Sequence, residues 1–137
     1  MLAAAALVLA LCAGCGGHAR SPESVVRAWS AALDANDNAS AAKLFAPNAE
    51  VVQGGTVLRL RTHADALTWN RGLPCSGRIV ALSTDGPTVT ATFLLGNRAT
   101  ACDAPGARAT AVFRVEHGKI VLWHQVPDAG ASPAPTV

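Results

Sequence analysis

The sequence predicts an α+β fold in which about three helices pack on one face of a curved antiparallel sheet. In the first half of the chain, apolar residues recur at the spacing of an amphipathic helix, and in the second half they alternate as in strands. The length supports a single domain, because 137 residues, 50% of them hydrophobic, can bury one core and hardly a second.

The helices are predicted from their start and stop signals. Ser21 can cap a first helix that has Pro22 at its first position, and Asn38 can cap a second, short helix. Pro47 is expected to stop that second helix, and Thr62 opens a third helix with a capping-box pattern. The predicted helices span residues 22–36, 38–45 and 62–72.

The strands are predicted from alternation on either side of short turns. Asp85-Gly86 and His117-Gly118 are turn dipeptides between alternating segments, and Gly54-Gly55 separates two shorter segments. Each turn predicts a hairpin, so the sheet is expected to be antiparallel. The predicted strands span residues 50–53, 56–60, 78–83, 88–95, 109–116 and 119–126.

The N-terminus has the pattern of a signal peptide. Its apolar run, residues 2–13, is too short to span a bilayer, and the segment Leu11-Cys12-Ala13-Gly14-Cys15 resembles the lipobox of bacterial lipoproteins. The resemblance implies lipidation of Cys15 and a location on the outer face of the cytoplasmic membrane or in the cell envelope. The alternative is an ordinary cleaved signal, with secretion. The predicted organisation is therefore a signal (1–14), a tether (15–20), a domain (21–127) and a flexible tail (128–137).

Two further cysteines, Cys75 and Cys102, remain in the mature domain. In an oxidising compartment an even number of cysteines predicts a disulfide. Neither has a His or a second Cys within four positions, which disfavours a zinc site. Closing a loop of 27 positions predicts about 3–4 kcal/mol of stabilisation.

The distribution of charge bears on whether the protein binds nucleic acid. Lys and Arg number 11 and Asp and Glu number 9, and they are scattered singly, which disfavours nucleic-acid binding. Most of the arginines in the domain are expected to be solvated charges at the edges of the fold: Arg59, Arg61, Arg71, Arg78 and Arg98.

Three segments carry a resemblance to a known superfamily. Residues 29–37 read WSAALDAND, residues 43–51 read KLFAPNAEV, and residues 115–125 read VEHGKIVLWHQ. In this order they resemble the nuclear-transport-factor-2-like superfamily, which includes SnoaL-like polyketide cyclases and ketosteroid isomerases. The resemblance implies a cone, or cystatin-like α+β roll, with a central cavity under the helices and frequent dimerisation through the outer sheet face.

The resemblance also places the isomerase machinery on this chain. The oxyanion-donating Tyr corresponds to Trp29, the general-base Asp to Gln53, and the protonated Asp to Ala111. An indole cannot replace the phenol with equal geometry, an amide abstracts no proton at neutral pH, and alanine donates nothing. We therefore predict no catalytic residue, cofactor or metal.

The cavity implied by the resemblance needs a lining, for which large apolar groups and a few polar ones are the candidates. Core packing is the alternative for the aromatic residues, and a satisfied polar group at the sheet surface is the alternative for His124. Because residues alternate along a strand, one of His124 and Gln125 is expected to face inward. The candidate ligand-binding residues are Trp29, Phe45, Gln53, Trp69, Phe93, Phe113 and His124.

Three functions remain open on the sequence. The first is a lipid-anchored module that binds a small apolar ligand without catalysis. The second is an isomerase, cyclase or dehydratase with catalysis relocated to His124 or to His63. The third is an interaction module that pairs, with itself or with an envelope protein, through a semi-polar outer face that includes Thr88, Thr90, Thr92 and Val112.

Overall fold

The computed structural model describes residues 19–127, which form three helices and six strands. The predicted α+β class is confirmed. The predicted signal peptide, Cys15 and the C-terminal tail lie outside the described residues. No helix within residues 19–127 is long and apolar enough to cross a membrane. In chain order the elements are α1 (Pro22–Asp34), α2 (Asn38–Lys43), β1 (Phe45–Gln53), β2 (Thr56–Leu60), α3 (His63–Gly72), β3 (Ser76–Asp85), β4 (Thr88–Gly96), β5 (Arg108–Glu116) and β6 (Lys119–Val126).

The strands form one curved, unclosed sheet in the order β2-β1-β6-β5-β4-β3. The three predicted hairpins are antiparallel, and β4 also pairs with β5 in antiparallel fashion. One pairing differs from the prediction, because β1 runs parallel to β6. Turn dipeptides report only the pairing of neighbouring strands, so this long-range contact left no local signal.

The junction between α2 and β1 corrects two predicted boundaries. The second helix ends at Lys43 rather than at Phe45, because Phe45 already pairs with Ile120 of β6. Pro47 therefore lies inside a strand, at an irregularity where Asn48 has φ of 63° and the register with β6 shifts. The cap of α2 is Asp37, not Asn38, and its carboxylate accepts from the Ser40 N–H at 3.0 Å.

Other helix ends follow the predicted signals. The Ser21 hydroxyl accepts from the Ser24 N–H at 3.2 Å. Thr62 and Asp65 form the reciprocal capping box, each side chain accepting from the other residue's backbone N–H. The first helix ends two residues before the predicted limit, and Asn36 leaves it in the left-handed region with φ of 53°.

The core lies between the helices and one face of the sheet, here called the inner face. The predicted inward alternation is present, since Val89, Ala91 and Phe93 of β4 are buried. Trp29 of α1 packs on this face, 5.3 Å from the ring of Phe113. The opposite, outer face carries partly exposed side chains on β4, β5 and β6. Burial of the inner face is what holds α1 over the sheet.

Candidate functional site

A cavity of about 380 Å³ lies between α1 and the inner face of the sheet. Three aromatic side chains that line it, Trp29, Phe93 and Trp123, are almost fully buried. The Trp29 ring lies 5.9 Å from that of Phe93 and 6.3 Å from that of Trp123. The size of the cavity and its apolar aromatic lining suit a small molecule.

Small residues on β3 and β5 leave room for this cavity. Ala109 and Ala111 both line it and share a face of β5 with the larger Phe113. On β3, Gly77 lets the strand approach Phe93, because a Cβ at Gly77 would lie only 2.8 Å from the Phe93 Cβ. The Ser30 hydroxyl donates to the Gly77 carbonyl at 2.8 Å and so fixes α1 to β3.

An amide pair forms part of the wall. The Nε2 of Gln53 donates to the Oε1 of Gln125 at 2.8 Å, and both residues line the cavity. The parallel register between β1 and β6 explains this contact: Val51 pairs with Trp123, so the residues two positions later are neighbours on the same face. Gln53 is exposed and Gln125 is half-buried.

The indole of Trp29 is committed to a structural hydrogen bond. Its Nε1–H donates to Oδ1 of Asn70, which is fully buried, at 2.9 Å. The Asn70 amide in turn donates to the Ala66 carbonyl at 2.8 Å. Because Trp29 has a single N–H, it has no donor left for a ligand oxyanion. Sequence reasoning missed Asn70, since a polar residue on a short helix gives no sign of a partner 41 positions away.

Arg98 is not the solvated edge charge that was predicted. Its guanidinium donates to the carbonyls of Asn70 and Leu73, at 2.7 and 2.8 Å, and also to the side chains of Asn36 and Asn38. Partial burial lowers the pKa of Arg98. The correction has a physical cause: carbonyls at the end of α3 need donors, and the loop after β4 brings the guanidinium to them.

The predicted disulfide is confirmed between Cys75 and Cys102, with a Cα–Cα distance of 4.7 Å. It joins the residue before β3 to the loop after β4, and Cys75 lines the cavity. The Asp103 carboxylate lies 3.3 Å from the Cys75 sulfur. A bonded sulfur has neither a proton to donate nor a thiolate charge, so this cluster of three does not offer the ligand set of a metal site.

Three of the seven candidate ligand-binding residues line the cavity: Trp29, Gln53 and Phe93. Their role in binding stays a prediction. The structure adds Trp123 and Gln125, which share one face of β6. The alternation of β6 could have indicated Trp123, because residues two apart on a strand share a face. An inward-facing Gln125 therefore implies an inward-facing Trp123.

The other four candidates lie elsewhere. Phe113 is fully buried in the core beside Trp29. Phe45 and Trp69 pack on each other, with ring centroids 5.5 Å apart. His124 lies between Trp123 and Gln125 and therefore points to the outer face. These four side chains do not line this cavity, and for the three aromatic ones the reason is that large apolar groups also fill the space beneath and beside a cavity.

The three positions that correspond to the isomerase machinery do meet in one place. Trp29, Gln53 and Ala111 all line this cavity, and none of them ionises near neutral pH. The charged residues that line it, Asp103 and Arg108, are both exposed. The cavity thus offers aromatic surface and neutral amides at the positions where the resemblance to ketosteroid isomerases implies acids.

Comparison with known proteins agrees with this architecture. Solved structures with a similar fold include a nuclear-transport-factor-2-like protein of unknown function from Cytophaga hutchinsonii, with a TM-score of 0.65 and 12% identity over 77% of this chain and 88% of that one. A protein from Catenulispora acidiphila with a ketosteroid isomerase-like fold, solved with trimethylamine, has a TM-score of 0.61 and 18% identity over 82% and 90% of the two chains. An epoxide hydrolase of M. tuberculosis has a TM-score of 0.58 and 19% identity over 76% and 80%.

These identities establish the fold alone, since the same fold serves unrelated activities. No curated protein shows significant similarity to the chain. The profile of the SnoaL-like domain, however, matches residues 26–123, which include all three helices except the start of α1 and nearly the whole sheet. The chain therefore belongs to the SnoaL-like domain family.

Proposed function

We propose that the domain binds a small, mostly apolar molecule in the cavity without catalysing a reaction on it. The observation that carries this proposal is the lining: Trp29, Gln53 and Ala111 stand where the isomerase machinery would stand, beside the aromatic rings of Phe93 and Trp123. Burying apolar ligand surface against these rings supplies binding energy. An amide and a methyl group supply no acid or base.

The enzyme alternative has less geometric support. Relocated catalysis was assigned to His124 or His63, but His124 faces away from the cavity and His63 is exposed at the start of α3. Neither imidazole lines the cavity in which a substrate would bind. A general base must come within hydrogen-bond reach of the proton that it removes.

Titration with ethylbenzene tests the proposal. Trp29 and Trp123 line the cavity and Trp69 packs 5.0 Å from Trp123, so tryptophan emission reports occupancy. We expect a saturable change for the wild type and none for Ala111→Phe, which fills the cavity. Val112→Phe adds a similar ring to the outer face of the same strand and should bind like the wild type. Equal binding by Ala111→Phe, or no saturable binding by the wild type, would overturn the proposal.

We further propose that the domain acts in the cell envelope, anchored by a lipid on Cys15. The Cys75–Cys102 disulfide supports export, because such bonds persist in oxidising compartments. The chain enters the domain beside the β5–β6 turn, with Arg20 next to Gly118. This is the opposite end of β5 from the cavity-lining Ala109, so a short tether would leave the cavity accessible.

Mass spectrometry of the membrane-extracted protein tests the anchor. We expect a mature N-terminus at Cys15 carrying acyl chains, and release from the membrane fraction when Cys15→Ser removes the acceptor thiol. An unmodified N-terminus, or cleavage at another residue, would favour the ordinary secreted signal.

Self-association through the outer face is a second candidate role. Apolar side chains on this face are partly or, for Val57, largely exposed, among them Val52, Val57, Val112 and Leu122. We propose that two copies pair through it, and sedimentation should then show a dimer that Val112→Glu dissociates. A monomer at high micromolar concentration would exclude this role.

A further inference from the structure

Most of the neutral side-chain hydrogen-bonding groups that the cavity wall leaves for a ligand belong to the Gln53–Gln125 pair. Three hydroxyls on the wall are engaged within the protein, that of Thr110 with Thr92 at 3.0 Å, whereas the buried Nε1–H of Trp123 has no hydrogen-bond partner within residues 19–127. The Ser30 hydroxyl donates to the Gly77 carbonyl, and the Ser76 hydroxyl donates to the Asn97 carbonyl at 3.1 Å. Asp103 and Arg108 are exposed to water. A ligand inside the cavity therefore meets the two glutamine amides and the Trp123 N–H as its neutral polar partners.

One hydrogen bond between two primary amides leaves a defined remainder of free donors and acceptors. The pair uses one N–H of Gln53 and one lone pair of Gln125. This leaves the carbonyl oxygen and second N–H of Gln53, and the NH₂ and second lone pair of Gln125. If both amides were turned over, the donor and acceptor would exchange places and the remainder would be the same. The recognition that follows does not depend on the orientation assigned to either amide.

A neutral carboxamide matches this remainder. Its N–H can donate to the free carbonyl while its own carbonyl accepts from the free NH₂, so both partners are satisfied. A carboxylate offers acceptors alone and would leave the Gln53 oxygen without a donor, and an ammonium offers donors alone and would leave the Gln125 NH₂ without an acceptor. Either ion would also lose hydration in a cavity whose charged residues are at exposed positions.

Resting on the proposed binding function, we infer that the Gln53–Gln125 pair recognises a carboxamide-type group, open or as a lactam. The apolar part of the same ligand packs against Trp29, Phe93 and Trp123. The ligand class is therefore a neutral aromatic or aliphatic amide. The aromatic rings supply affinity, and the amide pair supplies selectivity over the corresponding acid and amine.

A matched set of probes tests the inference by tryptophan fluorescence at pH 7: phenylacetamide, phenylacetate, 2-phenylethylammonium and ethylbenzene. They share a benzyl group and differ at the end that would reach the glutamines. We expect phenylacetamide to bind about tenfold more tightly than either ion, as two added neutral hydrogen bonds allow. The double variant Gln53→Leu/Gln125→Leu should lose this advantage and retain ethylbenzene binding. His124→Leu, on the outer face of the same strand, should behave as the wild type.

The outcomes separate this inference from the function on which it rests. If ethylbenzene binds and phenylacetamide binds no more tightly than phenylacetate, the amide recognition is wrong and the apolar binding function stands. If phenylacetamide keeps its advantage in the double variant, the glutamine pair is not the recognition element. If no probe binds to a wild-type protein with intact circular dichroism, the binding function fails as well.

Discussion

Two neighbouring stretches of the inner face share the same strand backbone, but one is packed core and the other lines the cavity. On β5, Phe113 lies opposite Trp123 and is fully buried, whereas Ala111, two residues earlier on the same face, lies opposite Gln125 and lines the cavity. At the first stretch a large ring fills the space under Trp29, and at the second a methyl group leaves it open. Side-chain volume at alternate positions of one strand thus separates the core from the binding cavity.

Phe113→Ala should give the largest effect, because it turns the packed stretch into an open one. Removing a fully buried ring is expected to cost about 3–5 kcal/mol of unfolding free energy. Chemical denaturation followed by circular dichroism measures this cost. Val112→Ala, on the outer face next to it, is the control and should cost much less. A loss below about 1 kcal/mol in Phe113→Ala would mean that the stretch is not packed as described.

The disulfide should have the next largest effect, since it holds the loop after β4 against the cavity. Replacing both cysteines, Cys75→Ser with Cys102→Ser, is expected to lower the unfolding free energy by about 3–4 kcal/mol. Denaturation of the oxidised wild type beside the double variant measures the difference. Adding a reductant should lower the stability of the wild type alone, and an equal response of both proteins would contradict this role of the bond.

Trp29→Phe probes the boundary between core and cavity. The change keeps an aromatic ring but leaves the buried Oδ1 of Asn70 without its donor, at a cost of about 1–3 kcal/mol. Thermal or chemical unfolding measures the loss. In an Asn70→Leu background the same change should cost less, because no acceptor is then stranded. Additive costs would show that the two side chains are not coupled.

The smallest effect concerns pH and a site away from both stretches. Two hydrogen bonds from Ser40 hold the pKa of Asp37 below its ordinary value. The bond from the Ser40 side chain has the larger effect and the bond from its backbone N–H the smaller. A lowered folded-state pKa contributes stability that is present above the unfolded pKa, near 4, and is lost as the pH falls through the folded value. Asp37→Ala should therefore be less stable than the wild type at pH 7, and the gap should narrow toward pH 2. A gap that is constant with pH would contradict this assignment.

Local features of the fold could be predicted from sequence because their determinants are adjacent in the chain. The caps at Ser21 and Thr62 and the turns at Gly86 and Gly118 need only a few neighbouring residues. The parallel pairing of β1 with β6 could not be predicted in the same way. It depends on contacts between segments about 70 residues apart. Because of this pairing, β1 begins at Phe45 and not at the predicted residue 50.

For the candidate site too, some features could be predicted from the sequence and others depend on long-range contacts. The positions of Gln53 and Ala111 followed from the family resemblance, and the geometry places both on one cavity with Trp29. Their hydrogen-bond partners did not follow, since the bond from Trp29 to Asn70 and the bond from Gln53 to Gln125 join segments that are distant in sequence. Residue type indicated which side chains are large or polar, and only packing decided which of them reach the cavity.

A crystal structure of the protein soaked with ethylbenzene is the most direct test of apolar binding in the cavity. We expect one ordered ligand between the rings of Trp29, Phe93 and Trp123, close to Ala111, with the Cys75–Cys102 bond intact. A cavity closed by side chains, or a ligand ordered only elsewhere on the protein, would contradict it.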